Sequence, residues 1–290
     1  MPDYRVLGES ISQLAEGPVW VGDKGQAWWI DVFGGVLHRV DLESGFDEPW
    51  DVGERLAFAI PTLDPTDTRI VLGLAGHVVL TEIGSREWSP LADNLDGGSN
   101  TSVNDAKCDA AGRLWFGTLD NDLVNPIASL YSSARGAEVT PRLGGLTISN
   151  GLGWSPDGRT MYVIDSAPHV LLAMTFDRDT GVVGEQSTLI SFSREDGLPD
   201  GLSVDRDGDI WVAMYGGGAL RRYTPNGALA EVLPLPVSHP TSCAFVGAGL
   251  DQLLVTTSAW APTTVGELDG ATLLVDVATP GLPVSGFDTA

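Results

Sequence analysis

The chain has 290 residues, with Asp+Glu 39 against Lys+Arg 16 and a formal net charge of −23. That charge repels phosphate backbones and anionic lipid headgroups, which argues against nucleic acid or a membrane surface as partner. Gly 36, Pro 18 and 43% hydrophobic residues describe a turn-rich globular chain with a core to bury, and the acids are scattered as a solubilising surface rather than gathered into a tail.

Taken from its start, Met1-Pro2-Asp3-Tyr4-Arg5 shows no basic segment followed by an apolar run, and no later stretch approaches the ~18 apolar residues of a membrane span. The expectation is a cytoplasmic protein. A first strand, roughly Tyr4 to Gly8, is expected to pair with Thr272-Leu273-Leu274-Val275 near the other end. Between them short apolar strands recur at Trp28-Trp29-Ile30-Asp31, Ile70-Val71-Leu72-Gly73, Leu114-Trp115-Phe116-Gly117, Met161-Tyr162-Val163-Ile164, Ile210-Trp211-Val212-Ala213 and Leu253-Leu254-Val255-Thr256.

The step between them is 42 to 49 residues, the period of an array or a propeller. A turn signal precedes each strand, for example Asp109-Ala110-Ala111-Gly112 and Pro156-Asp157-Gly158, and supplies the dihedrals of a tight hairpin. Six near-equal modules of three or four strands make an all-β protein, a single six-bladed β-propeller domain over residues 1–290. The seven or nine strands of a sandwich would not repeat in this way. Cys108 and Cys243 lie in stretches that read as buried strands and are taken as reduced core residues.

The innermost strand of each blade begins at one mouth of the central channel, so equivalent residues converge there. Counting back about 12 to 14 residues from each marked strand gives Glu16, the Phe58-Ala59 region, Asn104, Asn150, Asp200 and the Thr241-Ser242 region. Carboxylates and carboxamides without cysteine or histidine suit one divalent metal ion, Ca²⁺ before Zn²⁺, Mg²⁺ or Mn²⁺. Each of Glu16-Gly17, Asn150-Gly151 and Asp200-Gly201 alone could be an ordinary turn; their agreement in one register argues for a site.

Other constellations are weaker. No histidine among His38, His77, His169 and His239 lies at an inner-strand start beside a nucleophile motif. Asp205-Arg206-Asp207-Gly208-Asp209 lacks the spacing and terminal glutamate of an EF-hand and reads as a hairpin turn. Gly216-Gly217-Gly218 lacks the following helix and lysine of a P-loop. The tryptophans fall mainly in repeat strands and read as core.

Glu16-Gly17-Pro18-Val19-Trp20, Val103-Asn104-Asp105-Ala106-Lys107, Gly112-Arg113-Leu114-Trp115-Phe116-Gly117-Thr118, Ser149-Asn150-Gly151-Leu152, Ile164-Asp165-Ser166 and Pro199-Asp200-Gly201 closely resemble the gluconolactonase, regucalcin and luciferin-regenerating-enzyme family, through all six blades. The resemblance implies one metal in the channel mouth, held by Glu16, Asn150 and Asp200, with Asn104 near metal and substrate. It implies hydrolysis of sugar lactones with Asp200 as general base, Asp105 contacting substrate hydroxyls and Asp122 as an acidic contact on a loop. Ser102 stands where many relatives carry a substrate-holding arginine, Gly153 stands where an acid is common, and the loop Asp120 to Pro126 is short, so substrate choice stays open.

The expected function is therefore a metal-dependent lactonase acting on a small-molecule lactone, with no protein partner evident. The alternatives are a non-catalytic calcium-binding regulator, a protein-interaction propeller, or the same site acting on a different ester or ring.

Overall fold

The computed structural model describes residues 3–64, 66–93, 95–134, 138–260 and 265–289. These form six four-stranded antiparallel sheets. Blade 1 comprises Ala15–Val21, Gln26–Asp31, Val36–Asp41 and Trp50–Asp51; blade 2, Leu56–Pro61, Arg69–Leu74, Val78–Glu82 and Ser89–Ala92; blade 3, Thr101–Cys108, Leu114–Asp120, Ala128–Ser133 and Thr140–Leu146. Blade 4 comprises Ser149–Trp154, Thr160–Asp165, Val170–Asp177 and Val182–Ser191; blade 5, Leu198–Val204, Ile210–Tyr215, Ala219–Tyr223 and Leu229–Pro234; blade 6, Pro240–Val246, Gln252–Thr257, Leu273–Asp276 and the N-terminal Tyr4–Val6. Each inner strand neighbours the next, and the sixth neighbours the first, so the sheets form a closed six-bladed β-propeller.

The ring closes as the sequence suggested. Tyr4 pairs with Val275 and Val6 with Leu273, and Leu7, buried behind them, donates its N–H to Thr272. Chain ends from opposite extremes of the sequence thus complete one sheet and hide its edge.

Hydrophobic clusters lie between successive blades and are built from the alternating inward residues of the middle strands, with Trp28, Trp29, Trp115 and Trp211 fully buried. Two of these indoles explain a recurrent motif. Asp109 accepts N–H bonds from Ala111 and Arg113 across its hairpin turn and a third bond from Trp115 Nε1. Asp205 does the same with Asp207, Asp209 and Trp211 Nε1. The acid that opens each turn therefore fastens the turn to the indole six residues on, and the Asp205–Asp209 stretch is a hairpin turn as expected.

Trp260 is the exception among the tryptophans: it is 57% exposed. Both cysteines are buried and unbridged, and burial raises both thiols, Cys243 to about 12. Among the described residues, no helix is long and apolar enough to cross a membrane.

Candidate active site at the channel mouth

All six inner strands carry a β-bulge at one level. The pairing register shifts between Glu16 and Val19, Leu56 and Phe58, Val103 and Ala106, Ser149 and Leu152, Pro199 and Leu202, and Pro240 and Ser242. An extra residue re-aims the side chain at that point, so this ring of bulges is where the strands offer side chains to the channel axis. It holds Glu16 at its border, Asn104-Asp105, Asn150-Gly151 and Asp200-Gly201. One position differs from the counted register: the bulge residue is Ala57 in blade 2 rather than Phe58-Ala59, whereas Thr241 in blade 6 falls within the counted pair. The bulges change the count per strand, which spacing alone could not register.

Gly151 and Gly201 are not turn residues, whereas Gly17 in the blade 1 bulge has a φ of 56° and open space at its Cβ position. A Cβ on Gly151 would lie 2.5 Å from the backbone N of Leu202 and 2.7 Å from the carbonyl O of Asp200; one on Gly201 would lie 2.0 Å from Ser242 Oγ. Neighbouring inner strands approach too closely there for any side chain. Asn104-Asp105 likewise sits inside a continuous strand, not in a turn.

Carboxylates hold the segments that enter the ring, two of them at the ends of second strands (Asp31 and Asp165) and one in the turn before the third strand of blade 6 (Asp269). Asp31 accepts N–H bonds from Gln13, Leu14 and Gly34, Asp165 from Thr147 and Ile148, and Asp269 from Ser238 and His239. Each clamp sets the path of the chain just before an inner strand, and the first two set the approach to Glu16 and Asn150.

At the ring, Asn150 Nδ2 donates to Asp200 Oδ1 at 2.5 Å and to Ser166 Oγ at 3.2 Å. Asn104 Nδ2 donates to the Ser149 carbonyl at 2.9 Å, joining blades 3 and 4 beside Asn150. Burial holds the Glu16 carboxyl well above the usual carboxylate range, and Asp200 and then Asp105 push it the same way. Burial, and then Asp105, likewise raises Asp200 against the opposing Asn150 bond. Asp105 is raised by burial while Lys107 pulls it back. Three carboxylates from blades 1, 3 and 5 thus interact at the ring.

Lys107 was passed over as part of a strand. Its Nζ donates to the Leu202 carbonyl at 2.9 Å, and burial lowers its pKa while Asp105 and Cys243 oppose the shift. With all four groups ionised, this set, in which Asp200 is buried and Glu16, Asp105 and Lys107 are half-buried, carries two net negative charges, the charge that one divalent cation balances. Oxygen donors Glu16, Asp200 and Asn150 are of the type that hard cations take, so the residues present fit such an ion. Among the described residues, no cluster of three or more His, Cys, Asp or Glu side chains has metal-binding geometry, and the Asn150 carboxamide is a neutral oxygen donor beside Asp200.

The remaining expected site residues stand apart from this trio, on the rim beside blade 3. Ser102 Oγ donates to Asn121 Oδ1, Asn121 Nδ2 to Asn100 Oδ1, and Asn100 Nδ2 to Asp122 Oδ2. The short loop that carries Asn121 and Asp122 is tied down by Asp120, which accepts bonds from Val124 and Asn125.

The sequence reading missed a second group. His239 does lie at an inner-strand start, one residue before blade 6 begins, with Nδ1 3.2 Å from Asp269 Oδ2 and its ring 4.9 Å from that of Tyr215. Burial raises the Tyr215 phenol, with Asp200, Asp269 and Glu16 among the charges that push it further, which places it beside the carboxylate ring. A histidine two residues before the counted Thr241-Ser242 pair was the available signal. Below the ring, the channel widens into a cavity of about 580 Å³ towards the opposite mouth; Asp105 and Lys107 line it, whereas Glu16, Asn150 and Asp200 do not.

A closed six-bladed propeller with buried acids and amides converging at one mouth defines the class to which this chain belongs. A family model described as SMP-30/Gluconolactonase/LRE-like region matches residues 14–259, and the chain is a member of that family. It is 31% identical to pentonolactonase XacC of Haloferax volcanii over 288 residues, 96% of each chain. It is 34% identical to a putative sugar lactone lactonase of Rhizobium meliloti over 88% of this chain and 85% of the relative. A crystal structure of regucalcin from Agrobacterium tumefaciens, described as a calcium-binding protein, superposes with a TM-score of 0.89 at 26% identity, covering 99% of this chain and 97% of that one.

Proposed function

We propose that this protein is a metal-dependent lactonase that hydrolyses sugar lactones at the mouth formed by Glu16, Asn150 and Asp200. The observation that carries the reading is the convergence of Glu16, Asp105 and Asp200 on one another at the ring, with Asp200 accepting the Asn150 amide bond. Similarity to relatives named pentonolactonase and sugar lactone lactonase supports the substrate class.

Glu16, Asp200 and the Asn150 carboxamide oxygen would hold the ion. When bound, a divalent cation supplies Lewis-acid polarisation of the lactone carbonyl and lowers the pKa of water. Asp200, oriented by the Asn150 amide bond, takes the proton of the attacking water. Asn150 fixes the rotamer of that carboxylate through its amide bond, and Ser166 fixes Asn150 in turn.

Recognition falls to blade 3. Asn104 and Asp105 reach the ring, while Ser102, Asn121, Asn100 and Asp122 offer a chain of donors and acceptors at the rim matched to hydroxyl groups. Two buried, unbridged thiols fit a reducing compartment such as the cytoplasm.

Replacing Asp200 with asparagine keeps the size of the side chain and removes the base. The expected loss in kcat on an aldonolactone is about 10²–10⁴-fold, the usual contribution of a positioned acid or base. Full activity together with unchanged metal affinity in Asp200→Asn would sink this mechanism.

A further inference from the structure

The rim opposite blade 3 has a different chemistry. Phe33 and Trp260 are 39% and 57% exposed, and their rings meet at 5.4 Å with an interplanar angle of 63°. The Arg55 guanidinium lies 5.4 Å from the Phe33 ring centroid. Arg55 forms no ion pair among the described residues, although acids outnumber bases by more than two to one in this chain.

This corner adjoins the candidate site. Trp260 N–H donates to the Gln13 carbonyl at 2.8 Å, three residues before Glu16, and the Trp260 carbonyl accepts from Tyr215 Oη at 2.6 Å and Ser258 Oγ at 2.7 Å. Phe33 follows Val32, whose N–H bonds to Leu14, and Arg55 precedes Leu56, whose N–H bonds to Val32. The backbone of each aromatic is thus fixed while its ring faces solvent, an arrangement that loses little freedom when a ligand stacks on it. A guanidinium over an aromatic ring and without a carboxylate partner keeps its N–H donors available for a two-oxygen anion.

We infer that Phe33, Arg55 and Trp260 form a specificity subsite for lactones bearing an anionic group at the end remote from the ester. The sugar ring stacks on Trp260, its hydroxyls face the amides of blade 3, and the terminal anion bonds to Arg55, away from Asp122. This inference rests on the lactonase reading for its substrate class.

The test compares D-glucono-1,4-lactone with D-glucaro-1,4-lactone, which differ by a terminal CH₂OH against a carboxylate. The expected result is that Arg55→Gln lowers the glucaro-to-glucono ratio of kcat/KM by about ten- to hundredfold, the range for a hydrogen bond to a charged group. Arg55→Lys restores part of that ratio, and Arg206→Gln, which removes an exposed arginine from the far-mouth hairpin turn, leaves it alone. Trp260→Ala lowers kcat/KM for both lactones. An unchanged ratio in Arg55→Gln overturns the subsite while leaving the lactonase reading intact. If neither lactone is hydrolysed, that reading falls, and calorimetric binding of glucarate against gluconate decides the subsite separately: equal Arg55→Gln effects on the two overturn it.

Discussion

At the level of single residues, the ring of acids makes a statement about stability as well as catalysis. Glu16 and Asp200 titrate above their unfolded values in the metal-free protein, chiefly through burial and then through one another or Asp105. The native state therefore holds more protons than the unfolded one above the ordinary carboxylate range, and stability falls as pH rises through that window. We expect chelator-stripped protein to melt at a lower temperature at pH 8 than at pH 5. Added divalent metal should raise the melting temperature more at pH 8, because it binds the ionised form. Glu16→Gln with Asp200→Asn should flatten both effects; a pH dependence that survives in the double variant would place its origin elsewhere in the acidic surface.

Glu16, Asn150 and Asp200 were legible in the sequence because each repeats in the same register and is followed by a glycine. Lys107, Tyr215 and His239 were not, since none recurs from blade to blade. Lys107 reads as one polar residue in an apolar strand, and Tyr215 meets His239 only through the juxtaposition of blades 5 and 6. Trp260 was absorbed into the core by its residue type, and its exposure follows from a loop position that periodicity does not report.

At the level of elements, the bulged inner strand is the device that converts a repeat into a site. The dipeptides ending in Gly151 and Gly201 looked like turns because glycine is ambiguous between a turn and a close approach of two backbones. Only the packing of adjacent strands separates the two. Gly151→Ala should cost at least the ~1–3 kcal/mol typical of overpacking, because the new methyl meets backbone atoms that cannot rotate away. Urea unfolding measures it, and wild-type stability would show that the inner strands have room to part. Asp31→Ala should act differently, freeing the Gln13–Leu14 segment that delivers Glu16. Its expected signature is weakened metal affinity with the fold retained, read by calorimetric titration; unchanged affinity would mean the strand alone places Glu16.

For the whole molecule, closure governs both stability and the geometry of the mouth. The six modules, their order and the pairing of the first strand with the last were all visible as a 42–49-residue period flanked by matching end strands. What that period could not show was the one-residue offset at Ala57 or the cavity on the far side of the channel, because both depend on how strands bend against each other. Leu7 anchors the closing strand in a wholly buried position. Leu7→Ala should cost about 2–5 kcal/mol, the range for a core leucine, and a negligible change in the urea midpoint would show that the ring does not depend on this latch.

The proposed chemistry asks the whole ring for one property, a metal-dependent hydrolysis. It is tested most directly by pH-stat assay of γ- and δ-aldonolactones with chelator-stripped protein, adding back Ca²⁺, Mg²⁺, Mn²⁺ or Zn²⁺ one at a time. The account predicts ring opening that appears only when a divalent ion is restored and disappears again in Asp200→Asn. Metal binding without turnover on any lactone, or turnover undiminished in stripped protein, would contradict it.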